Sequence, residues 1–324
     1  MKILGLGNAL VDILITLQDE TFLTENGLPK GSMQLIDHDR AGELLALTDS
    51  FPRGVASGGS AANTVHGLAR LGVETSYIGK IGNDLHGSFF HDDMLQSGIR
   101  PRLLQSKSPT GTAITFITPD SERTFGTFLG AAVELTPDDI SPTDFHGCDL
   151  LHLEGYLVFN QDLTSHIVQQ ARQAGLKVSI DMASYNVVEA NLDYLKDLIR
   201  DGVDIVFANE EEARALTGCA PEEALGVISE MCEIAVVKVG KEGAYVSDGN
   251  SQWKVPATKD KAIDTTGAGD LYAAGFLYGL SLNKPLDTCA WYGSLVAAQV
   301  IQGIGAKINP EGWNKVISTM DSKR

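Results

Sequence analysis

The residues best suited to chemistry in this chain lie at 264–270, in the order Asp-Thr-Thr-Gly-Ala-Gly-Asp. The apolar run that follows, 271–280, predicts a helix. If 267–269 opens this helix, its unpaired backbone N–H groups and the helix dipole form a site suited to phosphate. Asp270 would lie beside that site as a proton acceptor, which phosphoryl transfer to an alcohol requires. A helix start with an acidic first turn has the same pattern, so this stretch alone leaves both interpretations open.

A second polar group follows the predicted buried strand 203–208, where the sequence at 209–212 reads Asn-Glu-Glu-Glu. Helix capping by Asn209, with acids favoured in the first turn, explains one or two of these acids. Glu212 is also placed to reach back toward a cation. Asp181 ends another predicted strand and is a further candidate, because ligands bind at the carboxyl ends of strands in parallel sheets.

A third group of candidates lies nearer the start of the chain. Gly58 and Gly59 precede a predicted helix and allow the backbone to approach a ligand closely, and Asn63, one turn into the helix, would face that ligand. Asn8 and Asp12 follow the first predicted strand, where polar ligand contacts are common. Turn capping and a glycine-rich turn are the structural alternatives for these residues.

These candidates need a scaffold, and strands alternate with helices along most of the chain. Continuous apolar runs such as 3–6, 149–153 and 234–239 predict buried strands of a mostly parallel sheet covered by helices on both faces. Other segments alternate between apolar and polar residues, which predicts strands with one exposed face. These segments are 12–17, 33–36 and 110–118. We therefore expect one α/β domain with a small second sheet.

Composition and charge limit the possible partners. The chain has 324 residues, of which 43% are hydrophobic and 21% charged, and its formal net charge is −17. Such an acidic surface argues against binding to nucleic acids or anionic membranes. No apolar run of about 18 residues occurs. Glycines and Asn8 also interrupt the apolar segment near Met1, so neither a transmembrane helix nor a signal peptide is expected. The cytoplasm is the expected compartment.

Several common motifs are missing from the sequence. The four cysteines form no C-x-x-C pair and the seven histidines no H-E-x-x-H pattern, which argues against disulfides and metal sites built from these residues. The stretch 54–59 has the glycine spacing of a P-loop but no following lysine, and the H-R-D and D-F-G motifs of protein kinases do not occur. Residues 5–10 begin like a dinucleotide fingerprint but lack its third glycine, so a dinucleotide-dependent oxidoreductase is only a weak alternative.

Two of the segments above together resemble the ribokinase-like carbohydrate kinases, the PfkB family. The Gly-Gly-x-x-x-Asn pattern at 58–63 and the segment 264–270 look like the two defining motifs of that family, in the right order. The 209–212 segment and the Val-Lys-x-Gly-x-x-Gly turn at 237–243 are similar to two further family elements. The resemblance spans nearly the whole chain. It implies a three-layer α/β/α sandwich with a mostly parallel central sheet, a small β-sheet lid and a single domain over 1–324.

The resemblance also implies an ATP-dependent kinase and gives the candidates roles. Asp270 would deprotonate the substrate hydroxyl. An anion hole for the γ-phosphate would consist of Gly267, Ala268 and Gly269. The nucleotide would contact Asn209, Glu212, Lys238, Gly240, Gly243 and Thr265, with 303–305 also near the adenine. The hydroxyls of a sugar ring would contact Asn8, Asp12, Gly58, Gly59 and Asn63.

Two metal ions follow from the same resemblance. Asn209 and Glu212 would position magnesium, largely through water. Asp264 and Thr266 lie where relatives hold a potassium ion behind the anion hole.

A finer resemblance is to the adenosine-kinase-like subgroup. The segments that carry it are 7–13, 29–33, 122–124 and 129–132. Arg123 would then contact the transferring phosphate from a lid formed by 12–37 and 107–128, whereas an exposed lid charge is the alternative. Phe116 and Phe128 are candidates for contact with a purine base, or else pack the lid.

The sequence leaves the acceptor open. The leading expectation is transfer of the γ-phosphate to a primary hydroxyl of an adenosine-like nucleoside or a sugar. The alternative is a free sugar or sugar acid such as ribose, fructose or ketodeoxygluconate. A catalytically silent binding protein is disfavoured, since Asp270, the 267–269 segment and Glu212 are all intact. Both a monomer and a homodimer formed through the lid are compatible with the sequence.

Overall fold

The computed structural model describes residues 1–120, 122–258 and 261–322. The strands in these ranges are β1 (Lys2–Leu6), β2 (Leu10–Thr16), β3 (Met33–Leu35), β4 (Arg53–Gly58), β5 (Glu74–Gly82), β6 (Arg100–Ser106), β7 (Gly111–Ile117), β8 (Arg123–Phe128), β9 (Leu150–Glu154), β10 (Lys177–Asp181), β11 (Ile205–Asn209), β12 (Ile234–Lys238), β13 (Ala244–Ser247) and β14 (Gln252–Val255). The α-helices are α1 (Thr21–Glu25), α2 (His38–Leu47), α3 (Ser60–Arg70), α4 (Leu85–Gln96), α5 (Gln161–Gln173), α6 (Tyr185–Ala190), α7 (Leu192–Gly202), α8 (Glu210–Thr217), α9 (Pro221–Ser229), α10 (Ala268–Ser281), α11 (Leu286–Val300) and α12 (Pro310–Asp321).

The larger sheet has nine strands in the order β14-β13-β12-β11-β10-β9-β1-β5-β6. Neighbours from β12 to β6 pair in parallel, whereas the β12-β13 and β13-β14 pairs are antiparallel. The central strands β1, β9, β10, β11 and β12 are mostly buried, because helices cover both faces of the sheet. Leu4 and Leu6 lie in the core on one face, and Ile3 lies in the core on the other face with Phe207 and Phe276. The predicted mostly parallel sheet is confirmed.

A smaller sheet has five strands in the order β3-β8-β7-β2-β4. Val11, Ile13 and Ile15 on β2 are buried in one core with residues of α3 and α4, whereas residues between them, such as Asp12, are less buried. The predicted second sheet is therefore present. It also contains β4, which is not part of the two predicted lid segments. Ser121, within the second of these segments, lies outside the described residues.

Close helix packing joins α3, α10 and α11 beside the larger sheet. A Cβ added to Gly67 on α3 would lie 2.7 Å from the Cβ of Ala274 on α10. A Cβ added to Gly275 on α10 would lie 2.5 Å from the carbonyl oxygen of Tyr292 on α11. These glycines let the helix backbones approach, which brings the first turns of α3 and α10 together. Across the described ranges, no helix is long and apolar enough to span a membrane.

Candidate active site

The start of α10 contains the residues predicted to form an anion cradle. Gly267 is the N-cap residue and has a left-handed conformation at φ 72°. A side chain there would place its Cβ 2.4 Å from the Cβ of Ala306, so both the turn and its neighbour require glycine. The Ala268 N–H donates to the Thr265 carbonyl at 3.1 Å. The following N–H groups of the first turn face away from the helix body, where the helix dipole favours an anion.

Asp270 lies in that first turn and is held by two side chains of α3. Its Oδ1 accepts a hydrogen bond from Ser60 Oγ at 2.7 Å, and its Oδ2 accepts one from Asn63 Nδ2 at 3.0 Å. Burial raises the pKa of Asp270 to about 6, and the charge of Asp181 adds to this rise, while Asn63, Ser60 and Lys238 oppose it. The carboxyl is therefore fixed in direction and ionised at neutral pH, as a general base must be.

A groove of about 980 Å³ extends from Asp270 along the carboxyl ends of the larger sheet. Its wall contains six of the residues predicted for the nucleotide, which are Asn209, Glu212, Lys238, Gly240, Gly243 and Thr265, whereas the predicted adenine contact at 303–305 does not line it. The wall also contains Gly267, Ala268 and Gly269. Ala297 and Ala298 of α11 and Ile301, which follows α11, also line the groove. They give an apolar surface for a flat ring.

A buried ion pair lies between the groove and the anion cradle. Lys238 Nζ donates to Asp181 Oδ2 at 2.7 Å, and their side chains are 13% and 7% exposed. Burial lowers the pKa of Lys238, but the charges of Asp181 and Glu212 outweigh burial and raise it. A Cβ added to Gly269 would lie 3.1 Å from Lys238 Nζ. The ammonium therefore lies against the cradle and is charged, which suits it to phosphate oxygens.

Asn209 and Glu212 form a reciprocal helix cap. Asn209 Oδ1 accepts from the backbone N–H of Glu211 at 2.9 Å and of Glu212 at 2.8 Å, while Glu212 Oε2 accepts from the Asn209 N–H at 2.7 Å. The capping interpretation of this segment is therefore present in the structure. Burial raises the pKa of Glu212 to about 7. A nearby cation would favour the charged form of this carboxyl.

Two predicted nucleotide contacts, Gly243 and the 303–305 segment, also have structural roles. Gly243 has φ 106°, and a Cβ there would lie 2.0 Å from the Val255 carbonyl oxygen, so the β13-β14 hairpin alone already requires glycine. The predicted adenine contact at 303–305 includes Gly305, whose N–H donates to Asp264 Oδ2 at 2.7 Å. A Cβ there would lie 3.3 Å from Leu14 of the smaller sheet. This segment therefore joins the cradle to the smaller sheet.

The predicted sugar contacts gather on the other side of Asp270. A Cβ on Gly58 would lie 2.2 Å from Asp12 Oδ1, so the Asp12 carboxyl occupies the space that a side chain would need. Gly59 has φ 95°, and a Cβ there would lie 2.2 Å from the Asn8 carbonyl oxygen. Burial raises the pKa of Asp12 to about 6, with Lys307 opposing the rise. Both glycines are therefore needed for the chain to pass these two polar residues.

Arg123 on β8 reaches Asp264, which precedes α10. The two side chains form an ion pair through Nη2 and Oδ2 and are 7% and 4% exposed. Asp264 also accepts from the Thr266 N–H at 3.0 Å. Arg123 is thus buried, not an exposed lid charge, and its guanidinium lies at the carboxylate that the resemblance assigns to potassium. Thr266 contributes its backbone N–H at this position.

Sequence reasoning missed Glu154 at the end of β9. This carboxyl is 2% exposed, and it accepts from Asn8 Nδ2 at 2.6 Å and from the Ala61 N–H at 3.3 Å. Burial raises the pKa of Glu154 to about 7. Glu154 fixes the side chain of Asn8 and the first turn of α3, both next to the base. The signal that could have found it is a lone acid that ends an apolar strand, as Asp181 does.

The two aromatic candidates for a purine contact have other neighbours. Phe116 is fully buried and packs against Phe22 with ring centroids 5.2 Å apart. Phe128 packs against His38 at 5.4 Å and lines a separate shallow groove. For Phe116 the structure supports the lid-packing interpretation.

Among residues 1–120, 122–258 and 261–322, no group of three or more His, Cys, Asp or Glu side chains is arranged to hold a metal ion. Magnesium in kinase sites is usually held by substrate phosphates, water and one or two carboxylates. Glu212 and Asp181 both line the groove, beside the cradle. These donors fit a magnesium ion held mainly through the phosphates of a nucleotide.

The chain is similar to known proteins over most of its length. Residues 46–312 match the pfkB family carbohydrate kinases. The solved structure of adenosine kinase from Sinorhizobium meliloti is 36% identical, with a TM-score of 0.88, over 98% of this chain and 99% of that one. A curated but uncharacterized sugar kinase of Archaeoglobus fulgidus is 30% identical, over 74% of this chain and 96% of the relative. The 5-dehydro-2-deoxygluconokinase of Bacillus subtilis is 29% identical, over 75% and 80%.

The chain belongs to the PfkB family of carbohydrate kinases. It is a sugar or nucleoside kinase, a phosphotransferase that acts on a hydroxyl group and, as a kinase, uses ATP with a divalent metal. Its fold is that of the ribokinase-like adenosine kinase structures.

Proposed function

We propose that this kinase transfers the γ-phosphoryl group of ATP to a primary hydroxyl of an adenosine-like nucleoside or a sugar. The observation that carries the proposal is the position of Asp270. Its carboxyl is buried in the first turn of α10 and oriented by Ser60 and Asn63. The nucleotide groove lies on one side of it and Asp12 on the other, so a donor and an acceptor would meet there.

The proposed step needs one base and one anion cradle. Asp270 takes the proton of the acceptor hydroxyl as its oxygen forms a bond to the γ-phosphorus. The bond from that phosphorus to the bridging oxygen of ADP breaks, and ADP leaves with the electron pair. The residues 267–269 stabilise the charge on the transferring group, and Lys238 adds a positive charge beside them.

Metal ions are assigned from the same surroundings. When bound, magnesium would neutralise charge on the phosphates, and Glu212 would hold it largely through water. Potassium remains the proposed occupant near Asp264 and Thr266. The guanidinium of Arg123 already supplies positive charge to Asp264, so a cation there would share that carboxylate.

The smaller sheet is proposed as a lid over the acceptor. Its segments 12–37 and 107–128 bring Asp12 and Arg123 to the site, and β4 brings Gly58. Closure would exclude water from the transferring phosphoryl group, which protects ATP from hydrolysis. We propose that 1–324 works as one domain, either as a monomer or as a homodimer paired through the lid.

Two acceptor classes are supported by different relatives. The structural likeness to an adenosine kinase at 36% identity supports a nucleoside. The curated relatives include kinases of dehydrodeoxygluconates, which supports a sugar acid as the alternative. The catalytically silent alternative is disfavoured by the oriented base, since a binding protein needs none.

A product assay tests the proposal. The purified protein is incubated with ATP and magnesium and one of adenosine, guanosine, D-ribose, D-fructose or 2-dehydro-3-deoxygluconate. The expected result is ADP and a monophosphorylated product, identified by mass spectrometry, with at least one of these acceptors. ADP without phosphorylated acceptor throughout the panel would overturn the proposal.

A further inference from the structure

Lys307 is a buried cation that sequence reasoning did not identify. It follows Gly305 and Ala306, which contact Asp264 and Gly267. Its Nζ atom is buried and has no hydrogen-bond partner among the described residues. An ammonium without an acceptor is costly to bury, so this position suggests an oxygen atom that a ligand supplies.

The groups around Lys307 belong to several elements of the acceptor side. Asp93 on α4, Asp12 on β2 and Asp270 on α10 all attract its charge, yet burial lowers the pKa of Lys307 to about 8. His66 on α3 lies near enough for the Lys307 charge to lower its pKa, together with burial. Asp93 already has a partner, since its Oδ2 lies 3.2 Å from His66 Nε2. The ammonium therefore interacts electrostatically with both the His66–Asp93 pair and Asp270.

A second unpaired atom on the same side has the opposite polarity. Asn63 is 5% exposed, and within the described part of the chain its Oδ1 has no hydrogen-bond partner. Its amide orientation is fixed, because Asp270 Oδ2 can only accept and must face the Asn63 Nδ2. Among the described residues, the acceptor side thus has buried donors without partners on Lys307 and Arg123, and an acceptor without a partner on Asn63.

We propose that Lys307 binds the phosphate acceptor, by donating to a hydroxyl oxygen of an uncharged, polyhydroxylated molecule such as a nucleoside or neutral sugar. This inference rests on the proposed kinase function and narrows its substrate class. Hydroxyl groups both accept and donate, so they satisfy Lys307 and Asn63 alike. A carboxylate only accepts, and it would add negative charge beside Asp12, Asp93 and Asp270.

Steady-state kinetics with matched variants test the inference. Wild type, Lys307→Met and Lys307→Arg are compared, with Lys315→Met as the control, since Lys315 is exposed on α12. We expect Lys307→Met to raise the KM of the best acceptor by about 10- to 100-fold and to leave the KM of ATP within about twofold. Lys307→Arg recovers part of the loss, and Lys315→Met behaves as wild type.

Removing single hydroxyls identifies the partner of Lys307. Adenosine is compared with 2′-deoxyadenosine and 3′-deoxyadenosine, or D-ribose with 2-deoxy-D-ribose. In wild type one deletion raises KM about tenfold, and in Lys307→Met the same deletion has little further effect. A purely structural role for Lys307 would leave the two effects additive.

The outcomes separate this inference from the proposed function. If wild type phosphorylates no acceptor, the proposed function fails. If product forms but Lys307→Met keeps the wild-type acceptor KM, the inference alone is overturned. A preference for 2-dehydro-3-deoxygluconate that Lys307→Met abolishes overturns the uncharged class. If Lys307→Met does not fold, the pH profile of Lys307→Arg decides. Arginine stays charged at higher pH than lysine, so the alkaline fall of acceptor kcat/KM should move to higher pH. An unmoved profile contradicts the inference.

Discussion

The two sides of the candidate site differ in how their buried charges are satisfied. On the nucleotide side Lys238 pairs with Asp181, and Glu212 forms a reciprocal cap with Asn209. On the acceptor side the cations keep N–H groups without hydrogen-bond partners in the described ranges. These cations are Arg123 and Lys307. The buried charges of the nucleotide side thus have hydrogen-bond partners without a ligand, whereas N–H groups of the two acceptor-side cations have none in the described ranges.

This difference has consequences for binding. A charge with a protein partner must share or exchange that partner when a ligand binds, which reduces the net gain on binding. A buried charge without a partner gains more from a ligand oxygen, because it was poorly solvated before. Substitutions on the nucleotide side should therefore change the kinetic constants for ATP, and substitutions on the acceptor side those for the acceptor. Substitution of Asp270 should affect the reaction of both substrates.

The largest expected effect belongs to Asp270, which serves both sides. Asp270→Asn should lower kcat by about 10²- to 10⁴-fold while the acceptor and ATP still bind, because the amide cannot take the hydroxyl proton. Product formation in single turnovers and ligand binding by calorimetry measure the two quantities.

Asp287→Asn is the matched control, since Asp287 lies in the first turn of α11 and is exposed. It should retain wild-type kcat. Turnover within about threefold of wild type in Asp270→Asn would remove Asp270 from the base role.

The next effect tests the nucleotide side. Lys238→Met should lower kcat/KM for ATP by about 10- to 100-fold through loss of a charged contact to phosphate, with acceptor KM little changed. It also leaves Asp181 unpaired, which alone destabilises the fold. The double variant Asp181→Asn, Lys238→Met removes that complication, and recovery of ATP kinetics in it would show that Lys238 acts only as a partner of Asp181.

A smaller effect tests the acceptor side. Gly58→Ala should raise acceptor KM about tenfold, because the new Cβ would displace the Asp12 carboxyl, and ATP KM should not change. Gly54→Ala on the same strand is the control, since its nearest neighbour would be Leu14 Cβ at 4.0 Å. Equal acceptor KM in the two variants would separate Asp12 from acceptor binding.

The smallest effect concerns stability and pH. An aspartate ordinarily has a pKa of 3.8, whereas the pKa of Asp270 in the folded protein is about 6. The folded state therefore binds this proton more tightly than the unfolded state. Above pH 6 the buried charge therefore lowers the free energy of unfolding. Asp270→Asn should raise that free energy by about 1–3 kcal/mol at pH 7.5, and the gain should vanish near pH 4. Urea unfolding at both pH values measures it, and a gain that grows toward low pH would contradict the assignment.

The sequence predicted the parts of the molecule whose signals are local. The parallel strands have continuous apolar runs, and the 264–270 and 58–63 segments keep their residues together in the chain. The structure places both segments at Asp270. The roles of these residues in catalysis and binding stay predictions until tested.

The parts that sequence reasoning missed depend on distant neighbours. β4 reads Arg-Gly-Val-Ala-Ser-Gly and resembles a loop until it pairs with β2. Glu154 and Lys307 are isolated residues in the sequence, and only packing gives them their burial. The ion pair between Arg123 on β8 and Asp264 before α10 likewise joins residues that are far apart in the chain. Their spacing in the sequence does not indicate it.

The long separation of the residues that orient Asp270 has a consequence for how the protein folds. Its donors Ser60 and Asn63 are 210 and 207 positions away, and β1 pairs on one side with β5 and on the other with β9. Such distant pairings must close large loops before they gain any contact energy, which slows folding. Catalytic activity should therefore return only in the last phase of refolding, after secondary structure has recovered.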